Sequence, residues 1–310
     1  MRKLLGPLLG ITLLTIAVIV LGNKMSALDL SEVWTELKLT PLKRTLGALL
    51  LTAVYYLLVT GYDILAFSVI RTPLKISRIA LASFTGYVCG HNIGLSSLVG
   101  GSVRFRIHSC FGLSAKETAK IVAFIALSFW VGALAMGSFI FLLNPYRIPS
   151  ELGLPFKTAQ PLGWLCLILL IFYVWIVVHA LHGRKIGSLE LPHLTPAQVV
   201  LQMLIGAADF LIGSSILFLL LPHARVMGFP DFLQAYMLAY IAGLSSQVPG
   251  GIGVFEGVLV FLIPAAVTPA ATVSALILYR LIFYVIPLVV AVILLAVHEL
   301  RIGRGVLTGK

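Results

Sequence analysis

Residues 94–106 read GLSSLVGGSVRFR, and residues 243–256 read GLSSQVPGGIGVFE. The shared frame is Gly-Leu-Ser-Ser, one variable residue, Val, then Gly-Gly, with Pro249 as a single insertion in the second copy. Gly94 matches Gly243, Ser96 and Ser97 match Ser245 and Ser246, and Gly100-Gly101 match Gly250-Gly251. Such a block of small residues is poor material for a continuous helix, since Gly loosens it and Pro removes a donor and clashes with the preceding turn. Two copies in an apolar chain predict two irregular hairpins, and irregular backbone at membrane depth lines a cavity or a site.

Outward from these blocks, the 310 residues are 60% hydrophobic and 11% charged, with a mean hydropathy of +1.07. A soluble domain carries about 25% charged residues, so this composition excludes one. The apolar runs are long and do not alternate, which excludes the short segments of a β-barrel. The predicted fold is all-α: a polytopic integral membrane bundle with about six full spans plus two re-entrant or broken-helix hairpins. The net charge of +11 sits in short connections rather than in one block, so it marks membrane topology and not nucleic acid. Cys89, Cys110 and Cys166 are too few and too scattered for a disulfide framework or a zinc set. No gap between apolar runs reaches domain length, so residues 1–310 are expected to form a single transmembrane domain with no soluble catalytic domain.

Met1-Arg2-Lys3 followed by Leu4–Leu21 reads as a retained first span, because the run is longer than the roughly 7–15 residues of a signal-peptide core. Asp29–Lys38 puts Leu30, Val33, Trp34 and Leu37 on one face and predicts an interfacial amphipathic helix. Further spans are expected over 45–70, 120–143, 161–181, 197–221 and 270–297, with hairpins over 79–101 and 231–264. Ser114 and Glu117 have the spacing of a capping box. Lys and Arg concentrate on one side of this threading, which places both termini in the cytoplasm. With both irregular segments re-entrant, an odd number of spans separates the two blocks and the hairpins enter from opposite faces. Halves at about 45–143 and 197–297 are then inverted repeats, an architecture of transporters. With each segment crossing fully, the count rises to about eight spans.

Charge inside a bilayer costs at least about 2.5–3.5 kcal/mol per group at the centre. Asp63, Asp209, Glu256 and Arg280 lie within apolar runs, and Arg104 and Arg106 follow the first Gly-Gly. Cations after one copy and an anion after the other predict pairing across the pseudo-symmetry axis. Two roles stay open for these groups: ion pairs that lock the bundle, or a headgroup translocation site. Arg106 also fits snorkelling to headgroups, and His91 and Asn92 fit either bundle hydrogen bonding or cavity lining. Arg104 beside loosened backbone and a helix start suits a phosphate, while Asp63 and Asp209 suit an ammonium or guanidinium. A site of both signs fits a phosphodiester lipid headgroup carrying an amine, and an ion-coupled transporter of a small solute would use the same groups. Gly251-Ile-Gly253-Val-Phe-Glu256 lacks the third glycine and the βαβ unit of a dinucleotide fingerprint, and His298-Glu299 lacks the second His of a zincin. An enzyme reading has no positive support in the sequence.

The segments GGSVRFR and QVPGGIGVFEG, with Asp63 on the second span and GLS before the acid-capped helix at 112–117, carry a resemblance over almost the whole chain. The sequence resembles the membrane domain of the bacterial multiple peptide resistance factor family, the lysylphosphatidylglycerol synthase transmembrane domain, including its stand-alone YbhN-like members. The resemblance implies a flippase of the bacterial inner (cytoplasmic) membrane that moves aminoacylated phosphatidylglycerol outward, lowering surface negative charge and repelling cationic antimicrobial peptides. It implies functional roles for Asp63, Arg104 and Glu256, with Asp209 and Arg280 matched less closely. The family's soluble aminoacyl-transferase domain is missing from this sequence, so translocation without synthesis is expected, with neither enzyme activity nor cofactor. Phospholipid, a separate lipid-modifying synthase and a second copy in a homodimer are the partners it admits.

Overall fold

The computed structural model describes residues 30–93, 96–144, 157–180, 185–186, 189–190, 194–221, 227–246, 248–264 and 267–307. The expected first span over Leu4–Leu21 and the motif residue Gly94 lie outside these. In chain order the elements are α1 (Leu30–Leu39), α2 (Leu42–Ile70), α3 (Ile76–Ile93), α4 (Ser96–Ser109), α5 (Ala115–Leu143) and α6 (Gln160–Trp175), the last running into a π turn at Ile176–Ala180. A two-residue antiparallel pair, β1 (Lys185–Ile186) and β2 (Leu189–Glu190), precedes α7 (Pro196–Leu220) and α8 (Phe229–Ser245). A 3₁₀ turn at Pro249–Gly251 leads to α9 (Val254–Leu262), α10 (Pro269–Arg280), a second π turn at Leu281–Val285 and α11 (Ile286–Leu307).

Five helical stretches among the described residues are long and apolar enough to cross a bilayer: 42–70, 115–143, 160–178, 196–220 and 269–301. These are the five later spans expected from the sequence, each within a few residues of its predicted limits. The hairpins lie where the motif copies placed them. Helices α3 and α4 fold back on each other as one hairpin, and α8 and α9 as the other. Three spans, α5, α6 and α7, separate the hairpins. An odd count is what an inverted pair of halves requires when both hairpins are re-entrant.

Helix starts follow local chemistry. Ser114 Oγ accepts from the Glu117 amide while the Glu117 carboxylate accepts from the Ser114 amide, so the predicted capping box forms at α5. Thr195 and Gln198 build a second one at α7, with Pro196 supplying a pre-set φ in the first turn. The spans pack closely through small residues. Gly132 on α5 and Gly206 on α7 meet backbone to backbone, and a Cβ on either would overlap the other's Cα. Next to this crossing, Tyr173 donates to Gln202 at 2.6 Å and Gln202 donates to Ser128 at 2.7 Å, tying α6, α7 and α5 together. Helix α1 packs on α10 and buries Val33, while Trp34 stays exposed with the Lys38 ammonium 5.2 Å from its ring centre.

The two motif copies break at different places. In the first copy, Gly100 and Gly101 sit inside α4 rather than at a break, contrary to the expectation for that Gly-Gly pair. The reason is a close approach between the hairpin arms: a Cβ on Gly100 would fall 2.6 Å from the Gly86 carbonyl oxygen on α3. In the second copy, Gly243 to Ser245 complete α8, and the chain breaks afterwards, at the inserted Pro249. There Gly250, Gly251 and Gly253 all take left-handed φ, at 61°, 61° and 84°.

Candidate functional site

Four of the charged residues singled out in the sequence form two ion pairs, one buried and one half-buried, each within its own half. Arg104 on α4 donates from Nε to Asp63 Oδ1 at 2.8 Å and from Nη2 to Oδ2 at 3.0 Å. Asp63 on α2 is 0% exposed and Arg104 4%, and Ser83 Oγ adds a 2.7 Å hydrogen bond to the same carboxylate. In the second half, Arg280 at the end of α10 pairs with Glu256 on α9 at 2.7 Å from Nε, and its Nη1 donates to the Gly250 carbonyl at 2.9 Å. Glu256 in turn accepts from the Gly253 amide at 2.7 Å, closing the first turn of α9. Pairing across the pseudo-symmetry axis, expected from the signs of the two copies, is therefore corrected. The hairpin arm lies against spans of its own half, so Arg104 and Glu256 each find a partner there. Only Arg106, which pairs with Glu299 on α11 in an exposed bidentate contact, joins the two halves by charge among the described residues.

Each of the two arginines also carries a tyrosine on its face. Arg104 lies 4.6 Å from the ring centre of Tyr87, and Arg280 lies 4.6 Å from that of Tyr284. Tyr284 sits in the π turn, whose cause is Pro287. Proline has no amide hydrogen and cannot bond the carbonyl four residues back, that of Phe283. That freed carbonyl accepts from Tyr56 Oη at 3.1 Å, and the next one, of Tyr284, accepts from Asn92 at 3.3 Å. Asn92 thereby pins the end of α3 to the last span, a bundle role rather than cavity lining.

Between these parts lies a cavity of about 380 Å³. Both hairpins reach it: Gly86, Tyr87, His91, Leu98 and Arg104 from the first, and Tyr240, Gly243, Gly250 and Gly251 from the second. Helix α5 contributes Phe129 and Trp130, and α7 contributes Asp209. The hairpin tips approach here, since a Cβ on Gly250 would be 3.4 Å from the His91 carbonyl oxygen. Two of its buried polar atoms, Tyr87 Oη and His91 Nδ1, have no hydrogen-bond partner among the described residues. Most buried polar atoms are satisfied, so a pair of orphans on one cavity wall marks space for a polar ligand or ordered water. Of the predicted site residues, the cavity takes in Arg104, Asp209, Ser97, Gly250 and Gly251. Asp63, Glu256 and Arg280 stand behind the wall as partners of wall groups, and Arg106 stands apart at the surface. Tyr87, Tyr240 and Tyr284 were not singled out from the sequence, where a tyrosine in an apolar run reads as core.

The fold and this site define a polytopic helical membrane protein in which two hairpins line one polar cavity. Over 220 residues the chain is 36% identical to the uncharacterized protein slr0712 of Synechocystis, covering 71% of this chain and 68% of that protein. Over 239 residues it is 29% identical to the inner membrane protein YbhN of Escherichia coli, covering 76% and 73% respectively. No protein-family model matches it. The chain belongs to the family of the Synechocystis protein, a group of YbhN-like multi-pass membrane proteins.

Proposed function

We propose that the chain is an inner-membrane lipid translocase that passes a polar phospholipid headgroup through the cavity by alternating exposure between its two inverted halves. The cargo in this reading is aminoacylated phosphatidylglycerol or a related anionic or zwitterionic phospholipid, and its outward movement contributes to resistance to cationic antimicrobial peptides. The chain itself makes and breaks no bond of the lipid; a separate synthase supplies it. The basic connections point to cytoplasmic termini in this arrangement.

The observation that carries the reading is the cavity's shape and rim. A volume of about 380 Å³ suits a headgroup, and it falls within the range of small-molecule sites. Its rim includes Leu98 and Trp130, which are 68% and 47% exposed, so the cavity opens toward an apolar outer surface. An opening of that kind lets acyl chains stay in the bilayer while the headgroup enters. The phosphate has one edge of Arg104 to meet, since Nε and Nη2 are already committed to Asp63 and Nη1 makes no further hydrogen bond among the described residues. Gly86 and Gly100 make room for the guanidinium itself: a Cβ at either would lie within 3.2 Å of Nη1.

The test is headgroup exposure of fluorescent phosphatidylglycerol and lysyl-phosphatidylglycerol in proteoliposomes, read with an impermeant quencher. Translocation at least tenfold faster than in empty liposomes is expected. Rates equal to those of empty liposomes for both lipids would overturn the proposal and leave uptake of a soluble solute as the reading to pursue.

A further inference from the structure

The two halves differ at one buried position, and the difference leaves an unpaired charge. Asp63 on α2 and Asp209 on α7 occupy corresponding spans, each leading into its hairpin. Counting from Gly-Gly, Arg104 corresponds to Val254, because both stand third after the pair. The second half thus has a buried valine where the first has the guanidinium that neutralises the aspartate. Asp209 is 7% exposed and forms no ion pair among the described residues. With Asp63 matched by Arg104 and Glu256 by Arg280, the ionisable groups around the cavity sum to a single uncompensated carboxylate.

The surroundings of that carboxylate are aromatic. Tyr62 Oη donates to Asp209 Oδ2 at 3.1 Å, and Tyr55 lies on the same carboxylate from α2. Tyr87 from α3 and Tyr236 and Tyr240 from α8 complete the titratable groups that face it. On the cavity side, Tyr240 packs on Phe129 with ring centres 6.1 Å apart, and Trp130 packs on Phe129 at 5.5 Å. One anionic oxygen pair inside walls of aromatic rings is the chemistry that recognises an organic ammonium, which gains both the ion pair and cation–π attraction. A small hydrated metal ion has no comparable ligand set: no group of three His, Cys, Asp or Glu side chains stands close enough together among the described residues. Tyr87 Oη and His91 Nδ1, buried and without partners on the same cavity wall, offer acceptors for ammonium N–H donors.

We propose that Asp209, walled by Tyr87, Tyr240, Phe129 and Trp130, is a binding site for a primary or quaternary ammonium group. It deepens the lipid-translocase reading by assigning the amine end of the cargo, yet a binding measurement on the isolated protein tests it without any translocation. The full chain in detergent is heated with tetramethylammonium or ethanolamine, with sodium chloride and glycerol 3-phosphate at matched ionic strength as controls. Saturable stabilisation by the two amines alone is expected, with affinity at least tenfold weaker in Asp209→Asn and partly kept in Asp209→Glu. Should Asp209→Asn not fold, Trp130→Ala, at the half-exposed rim, is expected to fold and to weaken the amine-induced stabilisation at least severalfold. Stabilisation by sodium equal to that by amine, stabilisation by glycerol 3-phosphate instead, or an amine effect untouched by these substitutions would each overturn the assignment. If the amines bind and neither lipid moves in proteoliposomes, the translocase reading fails and the ammonium site stands.

Discussion

The first hairpin is a closed unit and the second an open one. In the first, Gly100 sits in a continuous helix against Gly86, and the Asp63–Arg104 pair behind it is almost wholly buried. In the second, Pro249 interrupts the chain, three glycines take left-handed φ, and the Arg280 and Glu256 side chains remain 20% and 16% exposed. The two copies of the motif therefore differ, one lying inside a continuous helix and the other in an interrupted backbone. The inserted Pro249 and the left-handed Gly253, where the first copy has Val103, set the backbone difference, and Val254 in the place of Arg104 sets the chemical one. Asp209, which the second half contributes to the cavity, has no ion-pair partner among the described residues.

This contrast predicts a graded set of losses. Arg104→Ala leaves Asp63 buried and uncompensated, and thermal unfolding in detergent should show a cost of about 3–5 kcal/mol. The double change Asp63→Leu with Arg104→Leu is expected to recover part of it, because no buried charge remains. In the second half, Arg280→Ala strips one charged hydrogen-bond partner from Glu256 and from the Gly250 carbonyl. The partial exposure of this pair limits the expected loss to about 1.5–3 kcal/mol. Equal losses in the two halves would contradict the closed-versus-open distinction.

The glycines sharpen the same comparison. Gly100→Ala drives a methyl group into the Gly86 carbonyl and should cost about 1–3 kcal/mol, as overpacking does. Gly250→Ala meets neighbours only at 3.4 Å but must hold φ near 61°, so about 1–2 kcal/mol is expected. Smallest of all is Arg106→Ala, which removes an exposed pair and should leave the melting temperature within error. A large effect there would mean that the Arg106–Glu299 contact clamps the halves together.

The five described spans, both hairpins and the Ser114 capping box were legible from apolar run length and turn chemistry alone, because these signals are local in the chain. The partners of the buried charges were not. Asp63 and Arg104 are separated by a full hairpin arm, and sign alone points equally well to Glu256 for Arg104. Helix packing decides between them, and no local pattern encodes it. The aromatic wall was hidden for another reason: Tyr87, Tyr240 and Phe129 in apolar runs look like any core residue until a cavity is found beside them. Pro287 marks a helix disturbance, but its consequence, the Phe283 carbonyl freed for Tyr56, required the third dimension.

The central claim is that the hairpins enter from opposite faces of the membrane and meet around one cavity. The native Cys110 lies exposed at the base of the first hairpin. At the base of the second, Gly228 is exposed and has ordinary room for a side chain, its nearest neighbours 3.7 Å from a Cβ. With Cys89 and Cys166 changed to Ser, Cys110 and a Gly228→Cys substitution are tested one at a time in sealed, oriented vesicles with an impermeant maleimide. Labelling of the two positions from opposite sides is the predicted result. Labelling of both from the same side would contradict the inverted arrangement, and with it the alternating-exposure mechanism built on it.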